Sequence, residues 1–373
     1  MFFRVLIFLV IGISHIASQA NIGYFAHFSD THLETKYDNK EKCRNGTPLG
    51  SYNCDSSLSI IKSSFKFMSD QFARTKPDFI VYTGDAGSHD HDIDTTELYN
   101  TIQVINDEYD RVIDTKIPLI VSVGNHDVEP ANEMSVRKGD PSFIEDICKK
   151  MKQIYKTKVD HVGAQPSAQF ENACYYSKLI ENRITGLKII LVSINGLIYF
   201  QKNKYAETGS SDNLDNYDPY GQFAWLEATY KWAKANNAKV INTCHFALGA
   251  TISLPQDYKN MRPLANERLI KIYREYKDVI ITNLVAHEHI DTFRILFDES
   301  EKGSYCHCKH ICGFRNVDLY LHEECLKKCD MNYVDWTSRA IFIVPMVLVS
   351  GVAVAALVIS GIASYRSTEC CYA

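Results

Sequence analysis

The chain has 373 residues, 46% of them hydrophobic, which is enough for one large layered domain or two small ones. Its formal net charge is −5 and no stripe of Lys and Arg stands out. A role in coating nucleic acid is not expected, because backbone phosphates are bound by clustered cations.

In chain order, residues 1–20 read as a secretory signal. Arg4 gives a positive start, residues 5–13 are apolar, and Ser18-Gln19-Ala20 offers small residues for cleavage. That apolar run is too short to span a bilayer. Strands are predicted over residues 22–28, 79–83, 119–123, 189–194, 239–243, 279–285 and 292–297. Several are continuously apolar, as strands buried on both faces should be. Helices are predicted over residues 56–75, 95–115, 142–155, 221–236 and 264–276, with Asp55 as the cap of the first and Pro77 stopping the chain after it. Strands alternating with helices give α/β layers.

The expected organisation is a catalytic domain over 21–300, a Cys-rich stalk or subdomain over 301–338, a transmembrane helix over 340–364 and a cytosolic tail over 365–373. Residues 340–364 carry no charged side chain and are long enough to cross a bilayer as a helix. Pro345 is tolerated in such helices, and Arg366 suits the cytosolic side. A removable glycolipid-anchor signal is the rival, but it would end in its hydrophobic tail, whereas residues 365–373 continue past it. The reading is a single-pass type I membrane protein with a lumenal or extracellular catalytic domain.

Ten cysteines lie between the two apolar segments, and in a secretory chain they read first as disulfides. Cys43 and Cys54 are near neighbours in one loop and are expected to pair, and Cys148 with Cys174 is a second candidate pair. Cys306, Cys308, Cys312, Cys325 and Cys329 cluster with His307, His310 and His322, which leaves disulfides or a small zinc module open. Asn45-Gly46-Thr47 is an acceptor for glycosylation.

The residues that carry chemistry sit just past the strands. Asp30 and His32 come after the first, Asp85 after the next, Asn125 and His126 after the third, and His245, His287 and His289 after later ones. Side chains at the carboxyl ends of strands converge on one sheet edge. Extended backbone at His287-Glu288-His289 would put both rings on one face. Oxygen donors with imidazoles suit zinc, manganese or iron. Two such ions about 3.5–4 Å apart can hold a hydroxide for in-line attack on phosphorus.

Several stretches together resemble the calcineurin-like metallophosphoesterases, and within them the acid sphingomyelinase-like phosphodiesterases. They are Phe28-Ser29-Asp30-Thr31-His32, Tyr52-Asn53-Cys54-Asp55-Ser56, Thr83-Gly84-Asp85 with His89-Asp90, Gly124-Asn125-His126-Asp127, Gln222-Phe223-Ala224-Trp225-Leu226-Glu227 and His287-Glu288-His289-Ile290-Asp291. The resemblance implies a metallo-dependent phosphatase-like layered β-sandwich flanked by helices. It implies that Asp30, His32, Asp85 and His289 hold one divalent ion, while Asp85, Asn125, His245 and His287 hold another, both zinc. His126 would be the general acid, with His89 binding phosphate or assisting. Two positions depart from the pattern: Ala286 replaces the usual glycine, and Cys244-His245-Phe246-Ala247-Leu248 replaces Gly-His followed by prolines.

The implied activity is hydrolysis of phosphate diesters, either nucleotide conjugates or phospholipid head groups such as sphingomyelin. A lipid-handling saposin-like domain is expected of true sphingomyelinases, and the catalytic domain here is expected to start directly after the signal, which favours soluble diesters. Endopolyphosphatase, acid phosphomonoesterase and a membrane-anchored scaffold are the alternatives.

Overall fold

The computed structural model describes residues 23–37, 43, 49–51, 54–89, 94–181, 186–206, 218–249 and 260–289. The signal, the acceptor Asn45, the expected strand over 292–297, the Cys-rich stretch and the expected membrane helix lie outside the described residues. Among the described residues no helix is long and apolar enough to cross a membrane.

Three short apolar strands, β1 (Phe25–Phe28), β2 (Phe79–Tyr82) and β3 (Leu119–Val121), form a parallel sheet in that order. β2 and β3 are buried at every position, so each reads as an unbroken apolar run. The crossovers are α1 (Leu58–Phe72) and α2 (Thr95–Val112), which pack on one another. Ser57, not Asp55, caps α1: its side chain accepts the Ile60 N–H at 3.3 Å. A cap belongs to the residue directly before the first helical turn, and α1 begins two residues later than the sequence pattern predicts. α2 is capped by Asp94, which accepts the Glu97 N–H at 2.8 Å, and Glu97 and Arg111 complement its two ends.

After α3 (Ile144–Tyr155) and the short α4 (Phe170–Ala173) comes a second sheet. Its order is β4 (Tyr176–Glu181), β5 (Lys188–Ile194), β6 (Ala238–Cys244) and β7 (Ile280–Leu284). The β4–β5 pair is antiparallel, and β5, β6 and β7 run parallel. The crossovers are α5 (Gln222–Ala235) and α6 (Pro263–Glu275). β4 carries neither sequence signature of a strand: Tyr176, Ser177 and Lys178 are all buried in succession, with two polar residues among them, so neither alternation nor an apolar run appears.

The two sheets meet through buried hydroxyls as well as apolar side chains. Ser122 Oγ lies 3.1 Å from Ser193 Oγ and 2.8 Å from Thr243 Oγ1, and the Val121 N–H donates to the Tyr176 hydroxyl at 2.8 Å. This fixes the carboxyl ends of β1–β3 against those of β5–β7. Among the described residues two disulfides are closed, Cys43–Cys54 and Cys148–Cys174, and Cys148 and Cys174 are buried in the core.

Candidate metal centre

The site is assembled from the loops that leave the strands, and these loops are laced together by backbone. Asp30 N–H donates to the Gly84 carbonyl at 2.9 Å, His32 N–H to Asp85 at 3.1 Å and Leu33 N–H to Ala86 at 2.8 Å. The Ala286 N–H reaches the His245 carbonyl at 2.9 Å and joins the loops after β6 and β7. The Asp127 carboxylate ties β2 to β3 by accepting the N–H groups of Asp85 at 3.0 Å, Ala86 at 2.7 Å and Gly124 at 2.7 Å.

Such packing forces unusual backbone. Ten non-glycine residues among those described have positive φ, and half are Asp30 (52°), His32 (36°), Asp85 (61°), His287 (75°) and His289 (53°). Each costs of order 1 kcal/mol and persists because the surrounding hydrogen bonds over-determine it. Concentrated strain of this kind marks functional sites. Expected as extended, the His287-Glu288-His289 stretch is instead left-handed at both histidines, so the rings reach different neighbours. Gly124 is required here: a Cβ on it would fall 2.1 Å from Asp85 Oδ1.

The side chains form two groups that share one carboxylate. His32 Nε2 faces His289 Nε2 at 3.1 Å and lies 3.6 Å from Asp85 Oδ2, while His289 Nε2 is 3.3 Å from Asp30 Oδ1. On the other side, His245 Nε2 sits 3.1 Å from Asp85 Oδ2 and 3.0 Å from Asn125 Oδ1. The Asn125 amide nitrogen donates to Asn132 at 3.2 Å, which turns its carbonyl oxygen inward. The ligand atoms of Asp30, His32, Asp85 and His289 all lie within 4.8 Å of one another, and so do those of Asp85, His245 and His287.

These atoms suit cations. His32 Nδ1 donates to the Gly87 carbonyl at 2.7 Å and His245 Nδ1 to the Thr83 carbonyl at 2.8 Å, since a carbonyl oxygen can only accept. In the neutral rings that leaves Nε2 as a lone pair turned into the cluster, and metal-binding histidines are commonly oriented by such a bond from the far nitrogen. Lone pairs then face lone pairs around His245, whose Nε2 meets Asp85 Oδ2 and Asn125 Oδ1. Only a proton or a cation relieves that arrangement.

The electrostatics agree. Burial pushes the Asp85 carboxyl up, but His245, His32 and His126 together outweigh burial and hold it well below the usual carboxylate range. Burial opposes charge on His245, yet the Asp85 carboxylate raises it to about 9. His289 is raised by its contact with Asp30. Burial lowers His32 to about 4 and His287 to about 3, so both rings are neutral and ready to ligate. Burial and the neighbouring Asp85 carboxylate raise Asp127 to about 6.

His126 stands beside the first group, while His89 offers a ring nitrogen within 4.8 Å of ligand atoms of His32 and His289. The His89 ring is 3.9 Å from that of His32 and 4.6 Å from that of His126, and His126 is 5.1 Å from His32. The His126 N–H donates to Asp85 Oδ1 at 2.8 Å, so this residue and the shared carboxylate move together. His287 packs edge-on to Phe246 and Phe200, at 4.9 Å and 5.4 Å. Phe246, where a proline was expected, therefore buttresses a histidine of the second group. Sequence reasoning assigned no role to Asp127, to Phe200 or to Asp55 as a partner of His89. The Gly-Asn-His-Asp stretch already contained the Asp127 signal and the Tyr52–Ser56 stretch contained Asp55 without pointing to His89, whereas Phe200 carried none.

The sequence profile of the calcineurin-like phosphoesterases matches residues 23–291. The chain belongs to the calcineurin-like phosphoesterase family. It is similar to a Dictyostelium discoideum protein named sphingomyelinase phosphodiesterase C, with 27% identity over 79% of this chain and 65% of that one. It is similar as well to a Homo sapiens cyclic GMP-AMP phosphodiesterase, at 26% identity over 76% of this chain and 60% of that one. An endopolyphosphatase of Debaryomyces hansenii is 29% identical over 81% of this chain and 42% of its own length. The chain thus spans about two thirds or less of the curated relatives it matches. Within this calcineurin-like phosphoesterase, the two disulfides and the sphingomyelinase-like relatives fit a secretory or extracellular protein.

Proposed function

We propose that this calcineurin-like phosphoesterase is a metal-dependent phosphodiesterase whose site takes two divalent cations, both zinc. The single observation that carries the reading is Asp85: one buried carboxylate belongs to both ligand groups. Asp30, His32, Asp85 and His289 would hold one cation, and Asp85, Asn125, His245 and His287 the other. Bound there, the pair would supply a nucleophile at neutral or mildly acid pH and neutralise charge on the phosphoryl oxygens.

The chain's own residues do the rest. His126 protonates the leaving alkoxide, and His89 holds a phosphoryl oxygen or assists. Asp127 keeps the loops after β2 and β3 in register by its three backbone hydrogen bonds. Soluble diesters such as nucleotide conjugates rank ahead of sphingomyelin head groups, in keeping with the cyclic GMP-AMP phosphodiesterase relatives. We place the catalytic domain in the lumen or outside the cell, after signal cleavage near Ala20 and above a membrane helix at 340–364. Asn45 would be its glycan site.

The test is metal analysis of the purified chain together with turnover of bis(p-nitrophenyl) phosphate and p-nitrophenyl phosphate. Two zinc ions per chain and faster diester hydrolysis are expected. A preference for the monoester would make it a phosphomonoesterase, preference for polyphosphate an endopolyphosphatase, and zinc without turnover a scaffold.

A further inference from the structure

We propose that Asp55 is a positioning residue for His89, fixing which ring nitrogen this histidine turns to the substrate. The inference rests on the phosphodiesterase reading for its kinetic consequence, but not for its geometry.

Asp55 lies outside the cap position of α1, where Ser57 accepts the Ile60 N–H. Its carboxylate goes to one residue 34 positions away. Oδ2 accepts the His89 backbone N–H and Oδ1 the His89 ring Nδ1, both at 2.7 Å. An ionised carboxylate can only accept, so Nδ1 carries a proton and Nε2 is the remaining ring nitrogen. The two contacts fix both the main chain and the ring of His89.

Asp55 is itself held from both sides. Cys54 before it is bonded to Cys43. Ser56 after it donates its N–H to the His32 carbonyl and accepts the Glu34 N–H, both at 2.9 Å. The segment that carries Asp55 is therefore paired to the loop that carries His32. Around the His89 ring lie His32, His126 and His289, at 3.9, 4.6 and 5.6 Å between centroids. The side chain is 49% exposed, so the ring lies at the open, solvent-facing edge of the cluster. A half-exposed imidazole ordinarily samples several rotamers and both tautomers. Here a carboxylate removes that freedom and turns Nε2 toward the substrate, where it donates to a phosphoryl oxygen of a bound diester once that nitrogen also carries a proton.

The experiment uses the full chain loaded with zinc and three variants, Asp55→Asn, Asp55→Glu and His89→Gln, with the Asp55→Asn/His89→Gln pair. In Asp55→Asn, kcat for bis(p-nitrophenyl) phosphate should fall about 10–100-fold, the scale on which sites suffer when a group that orients a histidine is lost, with KM and zinc content unchanged. The double variant should be no slower than His89→Gln alone, and Asp55→Glu should recover part of the loss. Nitrogen-15 NMR, with His89→Gln used for assignment, should show the Nδ1–H form of His89 in wild type and its loss in Asp55→Asn. Full activity in Asp55→Asn, multiplying effects in the double variant, loss of zinc, or a wild-type ring protonated at Nε2 alone would each overturn the inference. If wild type turns over no diester, the functional reading fails, and the NMR arm alone decides the positioning.

Discussion

Asp85→Asn isolates charge from shape at the centre of the site. Asn is the same size as Asp, and its amide oxygen can keep the 2.8 Å hydrogen bond from the His126 N–H. Its amide nitrogen would sit where Oδ2 now faces His245 Nε2 at 3.1 Å and His32 Nε2 at 3.6 Å, and it can donate to either ring. The fold should survive, and what disappears is one negative charge with almost no solvent access. Two unit charges about 3 Å apart, at an effective dielectric of about 20, interact by roughly 5 kcal/mol, so for a divalent cation the loss is at least about 10³–10⁴-fold in binding. Because the carboxylate belongs to both ligand groups, that loss falls on both cations. Zinc-buffered titration followed by elemental analysis should find two ions per wild-type chain and fewer than one in the variant at the same free zinc. Diester turnover should disappear in parallel. Added zinc should raise the melting temperature of wild type far more than that of the variant, since only tight binding to the folded state stabilises it. A variant that keeps one ion at wild-type affinity would show that Asp85 serves a single site. A variant with two ions and full turnover would remove the dimetal reading altogether.

Other changes probe separate links. His126→Ala should retain both ions while turnover of a diester with a poor leaving group falls about 10²–10⁴-fold, as for loss of a general acid, and unchanged turnover would take His126 out of the mechanism. Gly124→Ala drives a methyl group to within 2.1 Å of Asp85 Oδ1 and 2.5 Å of its N–H, so thermal denaturation should show a loss of about 1–3 kcal/mol or more, with weaker zinc binding. A normal melting curve would mean that the β2 and β3 loops are not in this contact. Lys178 gives a pH signature away from the site. Burial lowers its ammonium from 10.5 to about 8 against the pull of Asp160. Folded Lys178 therefore gives up its proton before the unfolded chain does, so between about pH 8 and 10.5 its penalty is relieved and stability rises with pH. Lys178→Met should accordingly stabilise the chain at pH 7 by about 1–3 kcal/mol, with the gain shrinking at pH 10, as read by urea denaturation. Equal gains at both pH values would refute the burial argument.

Local sequence set the alternation of strands and helices and the place of each proposed metal ligand just past a strand. Those features are local: β2 and β3 are unbroken apolar runs, and Asp85, Asn125 and His245 come within a few residues of such runs. Spacing alone assigned no partners, because His32 and His289 are 257 positions apart and meet only when two sheets pack. Tertiary structure likewise decided that β4 is a strand, since its buried Ser177 and Lys178 hide the pattern. It decided that His287 and His289 are left-handed and so turn to different groups, that Asp127 joins two loops, and that Asp55 faces His89 rather than capping a helix. Each of these depends on hydrogen bonds between segments distant in the chain. A backbone held in a costly conformation by distant neighbours leaves no periodic trace in the residues that adopt it.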